Sequence, residues 1–454
     1  MIVTYPNFFK IYIDKQVSGS TLDFYKKILS SYSYANALDN TFPRPGIVFK
    51  DIDDNFLIFD HLNCSGPTDV SRDTRIDEDA FTFFYIDFSR LMTFFHFVQP
   101  NTPNIFLKCL RFEVTDEVKT ILNNNTGKIL LDTSTECIRM DKFYWNYFFN
   151  LTKLKPENFI LLTGDASNQV KANKIIPTIY RNTWERRTLN LHRLYDFEVE
   201  VKVNNIINKK LPKWHALCLN RITKIHRIYI SNFISKHGNL RNKINYSFGL
   251  IKPGEHEHIK SKPQIGSEKW DTWIKDIERQ WSNILPAQPF NEIEKWMCSH
   301  QEKYPEGDTL ADHSINMNNQ MCPENYYDSV FNIVTESFIS VDADYSADII
   351  FLTEKIFKPI IWHQPFIIIG NPGSIEFLRT DGFDVFDDII DHSYDNIIEI
   401  PERFEYIKKE IIRLCDIPIS DWVEILHRIL PRFRQNYSLF RSASSRHNIR
   451  NEML

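Results

Sequence analysis

Val330-Phe-Asn-Ile-Val-Thr-Glu336-Ser337, Phe351-Leu-Thr353-Glu354-Lys355-Ile-Phe-Lys358 and Gln364-Pro-Phe-Ile-Ile-Ile-Gly370-Asn-Pro-Gly373 follow one another, with a polar loop after the first. The first and third are short, nearly unbroken apolar runs, as expected of strands buried on both faces. The second opens on Thr353, a residue that caps helix starts, and predicts a helix over 353–363. Pro359 lies where a continuous helix needs an N–H, so a short, kinked helix is expected. A strand, a helix and a strand at this spacing make a βαβ unit of a parallel sheet.

The same alternation extends outward. Upstream, 214–220 reads as a strand, 221–236 as a helix and 244–249 as a strand. Further back, 127–132 and 158–165 read as strands ending in Asp132 and Asp165, with an aromatic-faced helix at 143–154 between them. Downstream, 374–378 begins a helix, and 401–435 holds two amphipathic helices with apolar faces at Phe404, Ile407, Ile411, Leu414 and at Trp422, Ile425, Leu426, Ile429. The polar run 202–213, with Pro212 near its end, reads as a linker. The expected organisation is therefore an α/β chain of two Rossmann-like domains. Residues 1–210 form the N-terminal one, irregular over its first hundred residues or so. Residues 211–435 form the second, with a polar, Trp-rich helical insertion or lid at 252–322, and 436–454 are a tail.

At 454 residues the chain exceeds one ordinary core, and 43% hydrophobic residues suffice for cores of enzyme size. A formal net charge of −5 argues against a dedicated nucleic-acid binder, which relies on a basic excess. Arg221, Lys224, Arg241 and Lys243 still leave room for a local basic stripe. Seven cysteines, with no CxxC and no Cys/His metal spacing, read as reduced thiols. No leader and no transmembrane run is evident, so a cytoplasmic location is expected, or the host cytoplasm for a viral protein. Asp342-Ala-Asp344 has the form of a metal-binding Asp-x-Asp, but Asp51-Ile-Asp53 and Asp77-Glu-Asp79 repeat it, and chance suffices. No metal and no cofactor is expected.

Chemistry concentrates around Thr353-Glu354-Lys355. A helix start offers unpaired N–H groups and partial positive charge; Lys355 makes it fit for a pyrophosphate, and Glu354 can accept from ribose hydroxyls. Gly370 and Gly373 follow a strand and precede a helix, the position at which α/β sheets approach ligands. Each feature alone is equally an ordinary capped helix start or βα turn.

As a set, in this order and spacing, these segments resemble the donor-binding core of the α-1,3-fucosyltransferase family, with its phenylalanine-rich strand ending in Glu-Asn-Ser, its Thr-Glu-Lys helix start and the following apolar strand to a Gly. Asn220 and Arg227 resemble the family's Asn and Arg in the first βα unit of the same domain. The resemblance covers about a third of the chain, and Glu336-Ser337 lacks the family's intervening Asn. It implies a GT-B fold, two Rossmann-like domains facing across a cleft, and a glycosyltransferase that moves a hexose or pentose from a GDP- or UDP-linked donor, inverting and metal-independent. It further implies donor binding by Asn220, Arg227, Ser337, Thr353, Glu354, Lys355, Gly370 and Asn371, with Arg227 and Lys355 neutralising the leaving diphosphate and Glu336 near the sugar. A catalytic base would come from the N-terminal domain, with Asp132, Glu136 and Asp165 as candidates, although a carboxylate at or beyond a strand end is more often a solvated turn residue. The acceptor stays open between a glycan, a protein and a hydroxylated base of phage-type DNA. A non-catalytic sugar-nucleotide-binding or structural protein is the reading from another class, resting on the missing Asn.

Overall fold

The computed structural model describes residues 153–167, 175–180, 196–220, 223–249, 267–285, 288–299, 323–337 and 349–442, together with 116–124, 127–133 and shorter pieces. The chain divides into two compact units, Met1–Arg181 with Ile449–Leu454, and Asn182–Asn448.

In the first unit, β1 (Phe9–Ile11), β2 (Val48–Lys50) and β3 (Phe56–Phe59) form one sheet in the order β1-β3-β2. A second sheet joins β4 (Thr82–Asp87), β5 (Gly127–Thr133), β6 (Phe159–Thr163) and β7 (Thr178–Tyr180) in chain order, all parallel, with α1 (Asp116–Asn123) between β4 and β5. The register places Asp132 beside Asp87 on one side and Leu162 on the other. Of the helix expected over 143–154, Trp145, Asn146 and Phe149 are helical, while Lys153, at φ 57°, and Leu154 lie outside a helix.

The second unit starts earlier than the polar run suggests. Residues expected as a linker lie partly in α2 (Asp196–Ile207). The reason is Lys202, a buried residue whose ammonium donates to the carbonyls of Tyr326 (2.8 Å), Tyr327 (3.2 Å) and Ser329 (2.8 Å). Three acceptors from one turn match the three protons of a lysine, and they tie α2 to the second unit.

Its sheet is built from β8 (Trp214–Cys218), β9 (Ile244–Tyr246), β12 (Ser329–Thr335) and β13 (Phe366–Ile369), in the order β13-β12-β8-β9 and parallel throughout. β8 and β9 are joined through α3 (Ile225–Lys236). Between β9 and β12 lie β10 (Phe248–Gly249), α4 (Glu268–Ile284), α5 (Phe290–Ser299), β11 (Glu302–Lys303) and α6 (Pro323–Tyr327), with β10 and β11 antiparallel. β12 leads through α7 (Glu354–Ile361) to β13, and α8 (Ser374–Thr380), α9 (Ile400–Asp416) and α10 (Ile419–Arg441) follow. α10 runs past residue 435, into the expected tail. Every residue of β12 and β13 is buried, as parallel strands covered on both faces require.

Where it is described, the Trp-rich insertion is mostly helical and its tryptophans are buried. Ser267 caps α4 by accepting from the Trp270 amide, and Trp270, Trp273, Ile274, Ile277 and Trp281 recur at helical spacing on its buried face. Tyr229 of α3 stacks on Phe404 of α9 at 4.5 Å, and Trp296 of α5 donates to Ser235 at 2.7 Å. α7 ends two residues after Pro359. His363 there adopts φ 53°, while the amides of His363 and Gln364 bond to the carbonyls of Ile360 and Pro359. That is the Schellman arrangement, with a histidine at the left-handed position that glycine usually fills. The protein is thus a mixed α/β chain with two parallel four-stranded sheets, compatible with a Rossmann-like fold. Among the described residues no helix is long and apolar enough to cross a membrane.

Candidate functional site

β8 and β12 are neighbours in the sheet, yet the chain leaves β8 toward β9 on one side and β12 toward β13 on the other. Helices that depart in opposite directions open a crevice beyond the strand ends, the place where open α/β sheets bind ligands. Asn220 follows β8, while Thr335, Glu336 and Ser337 end β12. Thr335 Oγ1 donates to Asn220 Oδ1, and the Asn220 amide nitrogen donates to Ser231 at 3.1 Å and to the Cys218 sulfur at 3.3 Å. Asn220 therefore bridges the two strand ends with its side chain committed to protein partners. Its backbone N–H donates to Ser247 Oγ at 2.8 Å, and Thr223 donates to the Gly249 carbonyl at 2.9 Å, so the loop before α3 is pinned to the segment that runs from β9 into β10.

α3 starts at this crevice. Lys224 occupies its cap position in extended conformation, and among the described residues no side chain caps it. The first turn carries no acid, which leaves the positive end of the helix uncompensated. Three side chains from this start converge on the turn after β12. Lys224 donates to the Ser337 carbonyl, His226 Nε2 to that of Glu336 at 2.8 Å, and Arg227 to those of Thr335 and Glu336 at 3.3 and 3.2 Å. Facing a carbonyl, Nε2 must carry the imidazole proton. Burial pushes the His226 ring well below the usual histidine range, and Arg227, Lys224 and Lys355 push the same way, so the ring is neutral. Burial lowers the Arg227 guanidinium too, against the pull of Glu336 and Glu354, without depriving it of its charge.

α7 starts on the other wall. Thr353 is its N-cap and accepts from the Lys355 amide at 3.4 Å. The buried carboxylate of Glu336 accepts from the Thr353 amide (3.1 Å), the Thr353 hydroxyl (2.6 Å) and the Ser337 amide (3.1 Å). Burial raises the Glu336 carboxyl, while Lys355 and the Thr353 bonds oppose that rise. Lys355 Nζ donates to Glu354 Oε1 at 2.7 Å, Ser337 Oγ at 2.9 Å and Thr353 Oγ1 at 3.1 Å. Three cations, Lys224, Arg227 and Lys355, thus surround the turn 335–337 against two carboxylates.

Gly370 directly follows β13. A Cβ there would stand 3.3 Å from Glu336 Cβ, so the missing side chain makes room for Glu336. Asn371 donates to the Ile349 carbonyl at 2.9 Å and is buried, holding the approach to α7. The start of α8 is already filled: Asp395 Oδ2 accepts from the amides of Ile375 (3.0 Å) and Glu376 (3.1 Å). Of the helices beginning at this end of the sheet, α3 and α7 are therefore the ones with cationic side chains at their starts.

The structure brings Asn220, Arg227, Glu336, Ser337, Thr353, Glu354 and Lys355 together at one crevice. In the first unit, Asp165 follows β6, buried, and accepts from the Ser167 amide and hydroxyl at 2.9 and 2.7 Å. Asp132 lies within β5, near its end, and Glu136 lies outside the described residues. Among the described residues no group of three or more His, Cys, Asp or Glu side chains is placed to hold a metal ion. A scan against protein-family models and a search of curated proteins both give no match for the chain.

Sequence reasoning set Lys224 in a local basic stripe rather than at this site, and gave His226 no role in it. Their signal was available: both lie within three residues of Arg227, at a helix start that follows a strand of the parallel sheet. Two helix starts and three fixed cations at one crevice can hold a polyanion with two or more phosphate groups, with Glu354 ionised beside it as a hydrogen-bond acceptor.

Proposed function

We propose that the chain is a glycosyltransferase that takes its sugar from a nucleoside-diphosphate donor, and that the second unit holds the donor. The observation that carries this reading is the convergence of Lys224, Arg227 and Lys355 on the starts of α3 and α7 at the β8–β12 crevice. In this reading the diphosphate lies across the two helix starts, and Glu354 accepts from the ribose hydroxyls. The acceptor hydroxyl attacks the anomeric carbon, a new C–O bond forms, and the bond to the diphosphate breaks with its electron pair leaving on phosphate. Fixed cations at that developing charge are the largest expected contribution to rate. The hydroxyl proton passes to a carboxylate of the first unit, for which Asp132, Glu136 and Asp165 are the candidates. The two units would face across a cleft as in GT-B enzymes, and the acceptor would be a glycan, a protein or a hydroxylated base.

The test is a thermal-shift and calorimetric screen with GDP, UDP and their sugar conjugates. A ligand at a hundred times its Kd adds about 2.7 kcal/mol of stability. Binding of a nucleoside diphosphate, together with slow release of free sugar from its conjugate that Lys355→Ala abolishes, supports the enzyme. Neither binding nor turnover across the panel would overturn it.

A further inference from the structure

Glu336 joins the two walls of the crevice, and it does so with different atoms. Its carbonyl receives His226 at 2.8 Å and Arg227 at 3.2 Å, which fixes the start of α3. Its carboxylate receives the amide and hydroxyl of Thr353, which fixes the start of α7. The Thr353 hydroxyl in turn accepts from Lys355 Nζ at 3.1 Å, and Ser337, whose amide bonds the same carboxylate, accepts from Lys355 at 2.9 Å. The carboxylate is 1% exposed by residue and has a protein donor on each oxygen, so a ligand in the crevice reaches it only through these partners. Gly370 supplies the space it occupies, since a Cβ at 370 would stand 3.3 and 3.5 Å from Glu336 Cβ and Cγ.

From this geometry we infer that Glu336 is the positioning residue of the anion site: it sets Lys355 and Arg227 in register with one another and does not touch the ligand. The inference rests on the reading of the second unit as a nucleoside-diphosphate site. Glutamine at 336 keeps the shape but turns an N–H₂ toward at least one of three donors, so that donor loses its acceptor and the Thr353–Lys355 arm loosens. The expected loss of GDP or UDP affinity is about tenfold or more, the scale of a buried hydrogen bond to a charged group.

A double-mutant cycle with GDP and UDP as probes tests this on the full chain. If Glu336 acts through Lys355, Glu336→Gln weakens binding in the wild-type background and adds little to Lys355→Ala. Guanosine and uridine, which lack phosphates, bind both proteins alike. Gly370→Ala, which displaces Glu336 without changing any charge, weakens diphosphate binding in the same direction and keeps the cycle informative if Glu336→Gln folds poorly. Additive losses, or equal loss of nucleoside binding, would show a general structural role and overturn the inference. Lys355→Ala abolishing diphosphate binding while Glu336→Gln and Gly370→Ala leave it unchanged would also overturn it, and the donor-site reading would stand. Wild-type protein that binds neither diphosphate would remove both.

Discussion

Lys355 Nζ lies 2.7 Å from Oε1 of Glu354, the residue before it in the chain. Burial works against the charged form of Glu354, yet Lys355, Lys358 and the hydrogen bond from Lys355 outweigh it and hold the carboxyl down to about 2. Glu354 is ionised at neutral pH, and Lys355 is oriented by an acceptor before any ligand arrives. A phosphate at the crevice therefore competes for, or shares, a cation whose position is already set.

Lys355→Ala is expected to cost diphosphate binding about 2 kcal/mol, the scale of a charge-assisted hydrogen bond. Glu354→Gln releases Lys355 from its carboxylate, so diphosphate affinity holds or rises while any contribution from ribose contacts falls. Calorimetry with GDP and UDP separates the two, because losses of the same sign and size in both variants would mean that the pair acts only as a structural unit. Stability follows the depressed pKa. Glu354 binds fewer protons folded than unfolded, so its contribution is fully present above about pH 4.5 and fades as pH falls toward 2.

Asp395 and Arg403 form a buried pair, 3.5 Å apart, with Asp395 also capping α8. Burial raises the Asp395 carboxyl and lowers the Arg403 guanidinium to about 10, each against the pull of the other. Among the described residues, Nε and Nη1 of Arg403 have no hydrogen-bond partner. Arg403→Leu leaves the buried Asp395 carboxylate without its ion-pair partner and is expected to destabilise by about 3–5 kcal/mol. Asp395→Asn with Arg403→Leu removes both charges and should cost less than the sum of the single changes. Thermal or urea unfolding of the three variants decides the matter; additive losses would mean that the two residues stabilise independently.

The βαβ order of the second unit could be read from the sequence because buried parallel strands are close to continuous apolar runs, as at Phe366–Ile369, and because Thr353 marks a helix start by its own chemistry. α2 could not be read in the same way. Lys202 looks solvated in sequence, and its three carbonyl partners lie more than a hundred residues away and carry no side-chain signature. In the stretch 252–322, expected as a helical insertion or lid, Trp270, Trp273 and Trp281 share one face of α4 and pack inward, a grouping that each tryptophan taken singly does not announce. At the site, Lys355 was legible from its helix start and Arg227 from the resemblance, whereas Lys224 was not. The direction of Glu336 was not, since a carboxylate at a strand end looks the same whether it faces a ligand or Thr353. Asp395, which fills the start of α8, is paired with that helix only by the fold.

Gly373 and Gly238 offer a matched pair. Gly373 holds φ +82°, and a Cβ there would meet Ile350 Cδ1 at 3.3 Å, so Gly373→Ala combines left-handed strain with crowding at the start of α8. The expected cost is about 1–2 kcal/mol. At Gly238 φ is not positive, and an added methyl would meet nothing within 4 Å. Alanine there restricts the unfolded chain and should stabilise by about 0.4–1 kcal/mol. Opposite shifts in melting temperature are the expected result; a fall for both would mean that the turn after α3 needs glycine for a reason other than space.

Lys202 gives the pH dependence its sign. Burial lowers its amine from 10.5 to about 7, with Asp328 opposing. Between those values the unfolded chain binds more protons than the folded one, so this residue makes stability rise with pH over that interval, by an amount on the order of 5 kcal/mol at most. Lys202→Met has no such proton to lose. It also strands the carbonyls of Tyr326, Tyr327 and Ser329, which destabilises at every pH. The gap between wild type and Lys202→Met should therefore be smallest near pH 7 and widen toward pH 10. Melting followed by the fluorescence of Trp281, Trp362 and Trp422, all buried in this unit, reads that gap directly. A gap that narrows as pH rises would mean that the three carbonyls hold the ammonium form against burial, and that Lys202 is a charged staple rather than a titrating one.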